Sequence, residues 1–360
     1  MPANPPSLRQ KLNARSEQGA LRELRLSSLP VDFCSNDYLG IARGSLLRHE
    51  PALAGGSTGS RLLSGNHPLL EELESELAAF HKSEAALLFN SGYDANLGLL
   101  SSVPQKRDTV LYDALSHASI RDGIRLSFAQ SFSFRHNDLE DLARKIGTAT
   151  GSVYVVTESV FSMDGDLCPL EALVDLCARS GAYLIVDEAH ATGVIGDRGE
   201  GLVQDRACQD GCFARVHTFG KAVGCHGAAV IGSADLKQYL LNFSRSLVYT
   251  TAMSPHAAGL IRQSYRLFPE MREERAHLQR LVDMFPGTGS TPIQAVLVPG
   301  NENARAAARM VQGRGMDVRP ILYPTVPKGT ERLRVVLHAF NTTGDVGALL
   351  DAVKQFLVFP

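Results

Sequence analysis

The sequence predicts an α/β protein: a large domain with a mostly parallel sheet flanked by helices, a smaller α+β C-terminal domain and an N-terminal arm. Three observations carry that expectation. Short, continuously apolar runs such as Ala85-Ala86-Leu87-Leu88-Phe89 alternate with amphipathic helical segments, the pattern of strands buried on both faces. Past Pro286-Gly287-Thr288-Gly289 the grammar changes to one strand, a helix, two more strands and a closing helix. The length of 360 residues, 44% of them hydrophobic, suits one large core and a second, smaller one.

In chain order, the stretch up to about Arg25 is polar and helix-like, with Leu8, Leu12, Leu21 and Leu24 as its only docking residues. A helix starts at Asn66-His67-Pro68, places Leu69, Leu70, Leu73 and Leu77 on one face, and ends near His81. Strand Ala85 to Phe89 follows, and Ser91-Gly92-Tyr93-Asp94 turns the chain into another helix. Strands are expected at Thr109 to Tyr112, Ser152 to Thr157 and Ala182 to Val186, with Pro169 to Arg179 helical between the last two. Next come strand Ala228 to Ile231, helix Ala234 to Arg245, strand Leu247 to Ala252 and a long helix from Pro255. The C-terminal part reads as strand Ala295 to Val298, helix Ala304 to Gln312, strands Val318 to Leu322 and Leu333 to Leu337, and a helix from Thr343. The expected division is an arm over 1–44, a large domain over 45–262 and the α+β domain over 263–360.

Composition narrows the function. A net charge of -2 gives no electrostatic basis for binding nucleic acid or an anionic membrane. No apolar run reaches the roughly 20 residues of a membrane span, and Met1-Pro2-Ala3-Asn4 opens no signal sequence. The six cysteines include no C-x-x-C pair, so they read as reduced thiols of a cytoplasmic protein, with neither a metal site nor a disulfide framework expected. The expected partners are small molecules.

The chemistry is concentrated where strands end. Asp187 closes an apolar strand, His190 follows three residues later, and Lys221 stands between Gly220 and Gly224 some thirty residues on. A lysine amine for an aldehyde and a carboxylate for a ring nitrogen are what pyridoxal phosphate requires of its protein. Asp187 by itself reads equally well as a strand cap or a metal ligand, and His190 or His117 as an ordinary structural histidine; order and spacing favour the cofactor. Thr218 and the junction Ser91-Gly92-Tyr93, at a helix N-terminus, offer groups suited to a phosphate. His117 follows another strand and can lie over a flat ring. Glu158 and Ser162 lie past a third strand, facing the same edge, whereas Asp164-Gly165-Asp166 reads as a simple turn. Asp187-Glu188-Ala189-His190 also spells a helicase box, yet a helicase needs G-x-x-x-x-G-K-[ST], and here Gly220-Lys221 is followed by Ala222. A binding module with a degenerate site is disfavoured because no chemical part is missing.

Taken with Ser35-Asn36-Asp37-Tyr38-Leu39-Gly40, Ser116-His117-Ala118-Ser119 and Phe161-Ser162-Met163-Asp164-Gly165, these runs resemble the α-oxoamine synthases, fold-type-I pyridoxal-phosphate transferases that join an amino acid to an acyl thioester and release carbon dioxide. The resemblance implies pyridoxal 5'-phosphate as cofactor, with Lys221 its lysine and general base, Asp187 at the ring nitrogen and His117 stacked on the ring. It further implies Glu158, Ser162 and His190 around the ring, and Gly92, Tyr93 and Thr218 at the phosphate. Thr250 and Thr251 match a segment that reaches the neighbouring subunit's phosphate, implying a homodimer with its site at the interface. Arg22, Asn36, Thr325 and Arg334 fall at substrate positions, and Arg334's planar fork suits a carboxylate. The tail Pro324 to Arg334 points to the biotin-pathway branch, which uses L-alanine and a pimeloyl thioester of coenzyme A or acyl-carrier protein. The sibling activity, glycine with acetyl-CoA, is the alternative.

Overall fold

A computed structural model of the chain describes residues 5–24, 26, 28–285 and 289–356. Met1–Asn4, Arg25 and the turn residues Pro286, Gly287 and Thr288, which entered the sequence reading, lie outside the described residues. The chain forms two compact units. The larger takes Asn36–Ser162 and Asp166–Ala276; the smaller takes the chain up to Ser35, Met163–Gly165 and the part from His277 onward.

The larger unit is built on seven strands: β1 (Ala85–Phe89), β2 (Thr109–Asp113), β3 (Gln130–Phe134), β4 (Val153–Glu158), β5 (Tyr183–Asp187), β6 (Ala214–Thr218) and β7 (Ala228–Gly232). Their order across the sheet is β1-β7-β6-β5-β4-β2-β3. All neighbours are parallel except at β7, which runs against both β1 and β6. The sheet is therefore mostly parallel, as expected. Five parallel strands, β1, β2, β4, β5 and β6, deliver the residues of interest from one end, where ligands of such sheets bind.

The helices follow local chemistry. Helix Pro68–Phe80 starts with Pro at its first turn and His67 capping Leu69 N, and buries Leu69, Leu70, Leu73 and Leu77. Helix Gly92–Ser102 is capped by Ser91, whose hydroxyl accepts from Asp94 N. Its Leu99 and Leu100 join Phe89, Val110, Ile185, Ala214 and Val216 in one continuous core on a single face of the sheet.

Three elements differ from the sequence reading. Leu247 to Ala252 is not a strand: Arg245–Val248 forms one helical turn, and burial of Leu247 in that same core overrides the β-propensity of its neighbours. The sequence predicts no strand at β6, because Arg215 and His217 interrupt its apolar run; both are buried on the face opposite Ala214 and Val216. β3 was missed too, as an exposed edge strand with only Phe134 buried.

In the smaller unit, strand Arg332–Val336 pairs antiparallel with both Arg319–Ile321 and Ile293–Leu297. Helices Asn301–Gln312 and Thr343–Val353 belong to the same unit, the latter opened by a full Thr342/Asp345 capping box. Helix Pro6–Glu17 forms, but Leu8, Leu12, Leu21 and Leu24 are all exposed.

Candidate active site

Asp187 ends β5 buried, in register with Glu158 at the end of β4. Its Oδ1 accepts from Ala189 N at 2.9 Å and its Oδ2 from Asn96 Nδ2 at 2.7 Å. Asn96, projecting from helix Gly92–Ser102, also donates to Ser119 Oγ at 3.0 Å, and that hydroxyl meets His117 Nδ1 at 2.8 Å. A line of hydrogen bonds, buried as far as Ser119, thus runs from Asp187 to His117. Such a line fixes orientation because its buried members would be costly to leave unpaired. Neither Asn96 nor Ser119 was singled out from the sequence: one polar residue on an apolar helix carries no motif.

His117 caps the helix Ala118–Leu126, its Nδ1 accepting from Ser119 N. Its own backbone N donates to Glu158 Oε1 at 2.6 Å. The imidazole stays solvent-accessible, while desolvation by the atoms around it holds its pKa below the ordinary value; the charge of Lys221 acts the same way and Asp187 opposes. It is therefore neutral near pH 7, which lets it lie against a cationic ring without repulsion. Burial, with the neighbouring Asp187 carboxylate, pushes Glu158 up to about 8. Two adjoining carboxyl groups do not both ionise readily, so the pair retains a proton.

Thr218 ends β6, and its buried Oγ1 has no hydrogen-bond partner among the described residues. A Cβ placed on Gly92 would sit 2.4 Å from Thr218 Cγ2. The start of helix Gly92–Ser102 therefore abuts an unanswered hydroxyl, and only glycine permits that approach. Tyr93 is 43% exposed beside them. Asn90 Nδ2 donates to Thr251 O at 2.8 Å and lies 3.4 Å from Thr250 Oγ1, which brings Thr250 and Thr251 to the same end of β1.

Lys221 follows β6 in a tight loop closed by Gly224 N to Lys221 O at 2.8 Å. Gly224 takes φ +67, and a Cβ there would meet Ala42 N at 2.8 Å, so the lysine loop packs against the end of the Asn36–Gly40 run. That run also reaches His190: Tyr38, fully buried, lies 2.6 Å from His190 Nδ1 through its hydroxyl, and Asn36 Oδ1 accepts from the same hydroxyl at 3.4 Å. Ser162 lies in the loop after β4, where Asp164 and Asp166 do more than make a turn. Asp166 bonds His136 and Asn137, and Asp164 pairs with Arg332 within the smaller unit. Of the remaining expected residues, Arg22 and Thr325 are exposed and Arg334 half-buried on strand Arg332–Val336; all three belong to the smaller unit.

A lysine, a hydrogen-bonded carboxylate, a flat neutral imidazole and a helix N-terminus with an unanswered hydroxyl suit an aldehyde-bearing aromatic phosphate. Comparison with known proteins agrees. Residues 30–353 match the family model of class I and II aminotransferases. The 8-amino-7-oxononanoate synthase of Emericella nidulans is 39% identical over 98% of this chain and 95% of its own length. That of Azoarcus sp. is 39% identical over 97% and 96%. The chain belongs to the 8-amino-7-oxononanoate synthases. Among solved structures, the family's Francisella tularensis member superposes with a TM-score of 0.77 at 27% identity, covering 91% of this chain and 97% of that one. A serine palmitoyltransferase from Sphingomonas wittichii gives 0.86 at 28%, over 97% and 96%. Another, from S. paucimobilis and solved with a bound PLP–myriocin adduct, gives 0.85 at 25% over the same shares. The protein is a fold-type-I, pyridoxal-phosphate-dependent acyltransferase. Among the described residues no helix is long and apolar enough to cross a membrane, and no cluster of His, Cys, Asp and Glu could hold a metal ion.

Proposed function

We propose that the enzyme condenses L-alanine with a pimeloyl thioester, forming 8-amino-7-oxononanoate for biotin synthesis and releasing carbon dioxide and the thiol. Pyridoxal phosphate, when bound, supplies an electron sink for the pair left at the alanine Cα by proton removal and again by decarboxylation. The observation that carries this reading is the hydrogen-bonded line from Asp187 through Asn96 and Ser119 to His117, which holds a carboxylate and a neutral imidazole in fixed relation at one end of the sheet.

In this reading Asp187 would keep the ring nitrogen protonated, and Asn96 keeps Asp187 in place. Lys221 Nζ would hold the cofactor and, when free, would accept the alanine Cα proton. His117 would cover the ring face. His190, oriented by Tyr38, would contact the ring hydroxyl together with Ser162, and Glu158 steadies His117. Thr218, Gly92 and Tyr93 would receive the phosphate. Asn36, Arg22, Thr325 and Arg334 serve the substrates, Arg334 binding the alanine carboxylate. Two copies assemble, with Thr250 and Thr251 completing the partner's phosphate site; Tyr249, 73% exposed beside them, offers apolar surface for that contact. The acyl donor is carried by coenzyme A or an acyl-carrier protein, and the enzyme works in the cytoplasm.

Turnover of the cofactor-loaded protein tests the substrate assignment. L-alanine with pimeloyl-CoA should yield product and carbon dioxide, while glycine with acetyl-CoA should not. Preference for the second pair would keep the chemistry and overturn the pathway.

A further inference from the structure

His136 follows β3 and touches none of the residues expected at the cofactor, yet it joins two of the loops that carry them. Its Nδ1 lies 2.9 Å from Asp113 Oδ1 and its Nε2 2.7 Å from Asp166 Oδ2. Ionised carboxylates only accept, so both ring nitrogens must donate, which requires the imidazolium. Burial pushes its pKa down, but the hydrogen bonds and charges of Asp113 and Asp166 outweigh this and push it up to about 10. Phe161 packs edge-on against the ring at 4.5 Å. Asn137, in the left-handed region at φ 54, reinforces the junction: its N donates to Asp113 Oδ2 at 2.9 Å, and its Nδ2 to Asp166 Oδ2 at 2.9 Å and Leu167 O at 3.0 Å.

The two carboxylates lie at the roots of separate loops. Asp113, fully buried, ends β2 and takes Leu115 N on its Oδ1 at 2.8 Å, two residues before His117. Asp166 closes the loop after β4; its carbonyl accepts from Phe161 N at 3.0 Å, and Val160 bridges Leu167. Ser162 lies between Phe161 and Asp166.

We propose that His136 is a positioning residue, which through Asp113 and Asp166 sets the His117 turn and the Ser162 loop at the separation the cofactor ring requires. The inference rests on the reading above, in which His117 and Ser162 both contact that ring. A side chain that merely stabilised the fold would lower the melting temperature without altering the site. A positioning residue changes cofactor affinity and kcat while leaving the thioester KM nearly constant, because small displacements of contacting groups are costly.

The experiment compares full-length wild type, His136→Gln and Asp166→Asn, each stripped and then titrated with pyridoxal phosphate. His136→Gln should weaken cofactor binding and lower kcat by about 10-fold each, with the thioester KM within about 2-fold. Asp166→Asn, which keeps the Asp113 contact, should move the same quantities by about 3-fold, and it carries the test if His136→Gln does not fold. Nitrogen-15 spectra of cofactor-free wild type should show an imidazole, perturbed by Asp166→Asn, with both nitrogens protonated at pH 8. Variants that lose melting temperature but keep cofactor affinity and kcat, or a His136 that titrates near 6.5, would overturn the proposal. Wild type that takes up no cofactor would overturn the functional reading, and this inference with it; normal wild-type uptake with unchanged variants overturns the inference alone.

Discussion

Asp187 and Glu188 are consecutive, buried carboxylic acids, yet the chain surrounds them in different ways. Asp187 faces the helix Gly92–Ser102 and has Asn96 and Ala189 N as partners. Glu188 lies with Arg215, His217 and His81 in a second buried cluster. There His81 and His217 rings lie 3.8 Å apart, His217 Nδ1 meets Thr192 Oγ1 at 2.8 Å, and Arg215 Nη2 donates to His81 O. Glu188 Oε2, His217 Nε2, His81 Nδ1 and Arg215 Nη1 find no hydrogen-bond partner among the described residues. Burial pushes Glu188 up to about 7 and holds both histidines well below their ordinary value, so the two histidines are neutral near pH 7. Asp187 has fixed donors on both oxygens, whereas Glu188 takes Val203 N at 3.2 Å on Oε1, and burial dominates there.

The contrast is sharpest at Asp187. Asp187→Asn keeps the shape but cannot hold a proton on the ring nitrogen, so kcat should fall by about 100-fold or more. Steady-state kinetics on protein with unchanged circular dichroism check this, and a variant retaining more than a tenth of wild-type kcat would erase the distinction between the two acids. Asn96→Ala removes a donor to that carboxylate and the link to Ser119. A hydrogen bond to a charged group is worth about 1.5–3 kcal/mol, so a loss of roughly 10-fold or more in kcat is expected, together with a changed pH dependence of the bound cofactor's absorbance.

The smallest catalytic effect belongs to the other cluster. His217→Val should leave kcat within about 2-fold, while changing how stability depends on pH. A histidine whose folded pKa is lowered binds its proton on unfolding, so stability is full above about 6.5 and falls as pH drops below it. Glu188, with its raised pKa, acts with the opposite sign between about 4.5 and 7 in both proteins. The melting temperature of His217→Val should therefore decline less on acidification than that of wild type. An identical decline would mean that His217 is not neutral in the folded protein.

The same contrast explains what was legible beforehand. β1, β2, β4, β5 and β7 read directly as apolar runs. β6 did not, because the alternation Ala214-Arg215-Val216-His217-Thr218 places two polar side chains on a buried face, and a buried arginine is rare. Asp187, His190, Lys221 and His117 were legible because their chemistry recurs in a fixed order. Asn96, Ser119 and Tyr38 act through position alone, and in sequence they look like any helix or loop residue. His136 was invisible for the same reason: its partners are 23 and 30 residues away, and only the fold joins them.

Lys221 is the expected cofactor lysine. Borohydride reduction of the pyridoxal-phosphate-loaded protein, followed by peptide mass spectrometry, locates the linkage, because reduction fixes the cofactor to whichever amine carries it. The pyridoxyl group is expected on the peptide containing Lys221 and to be lost in Lys221→Ala; its appearance chiefly on another lysine would remove Lys221 from the cofactor site.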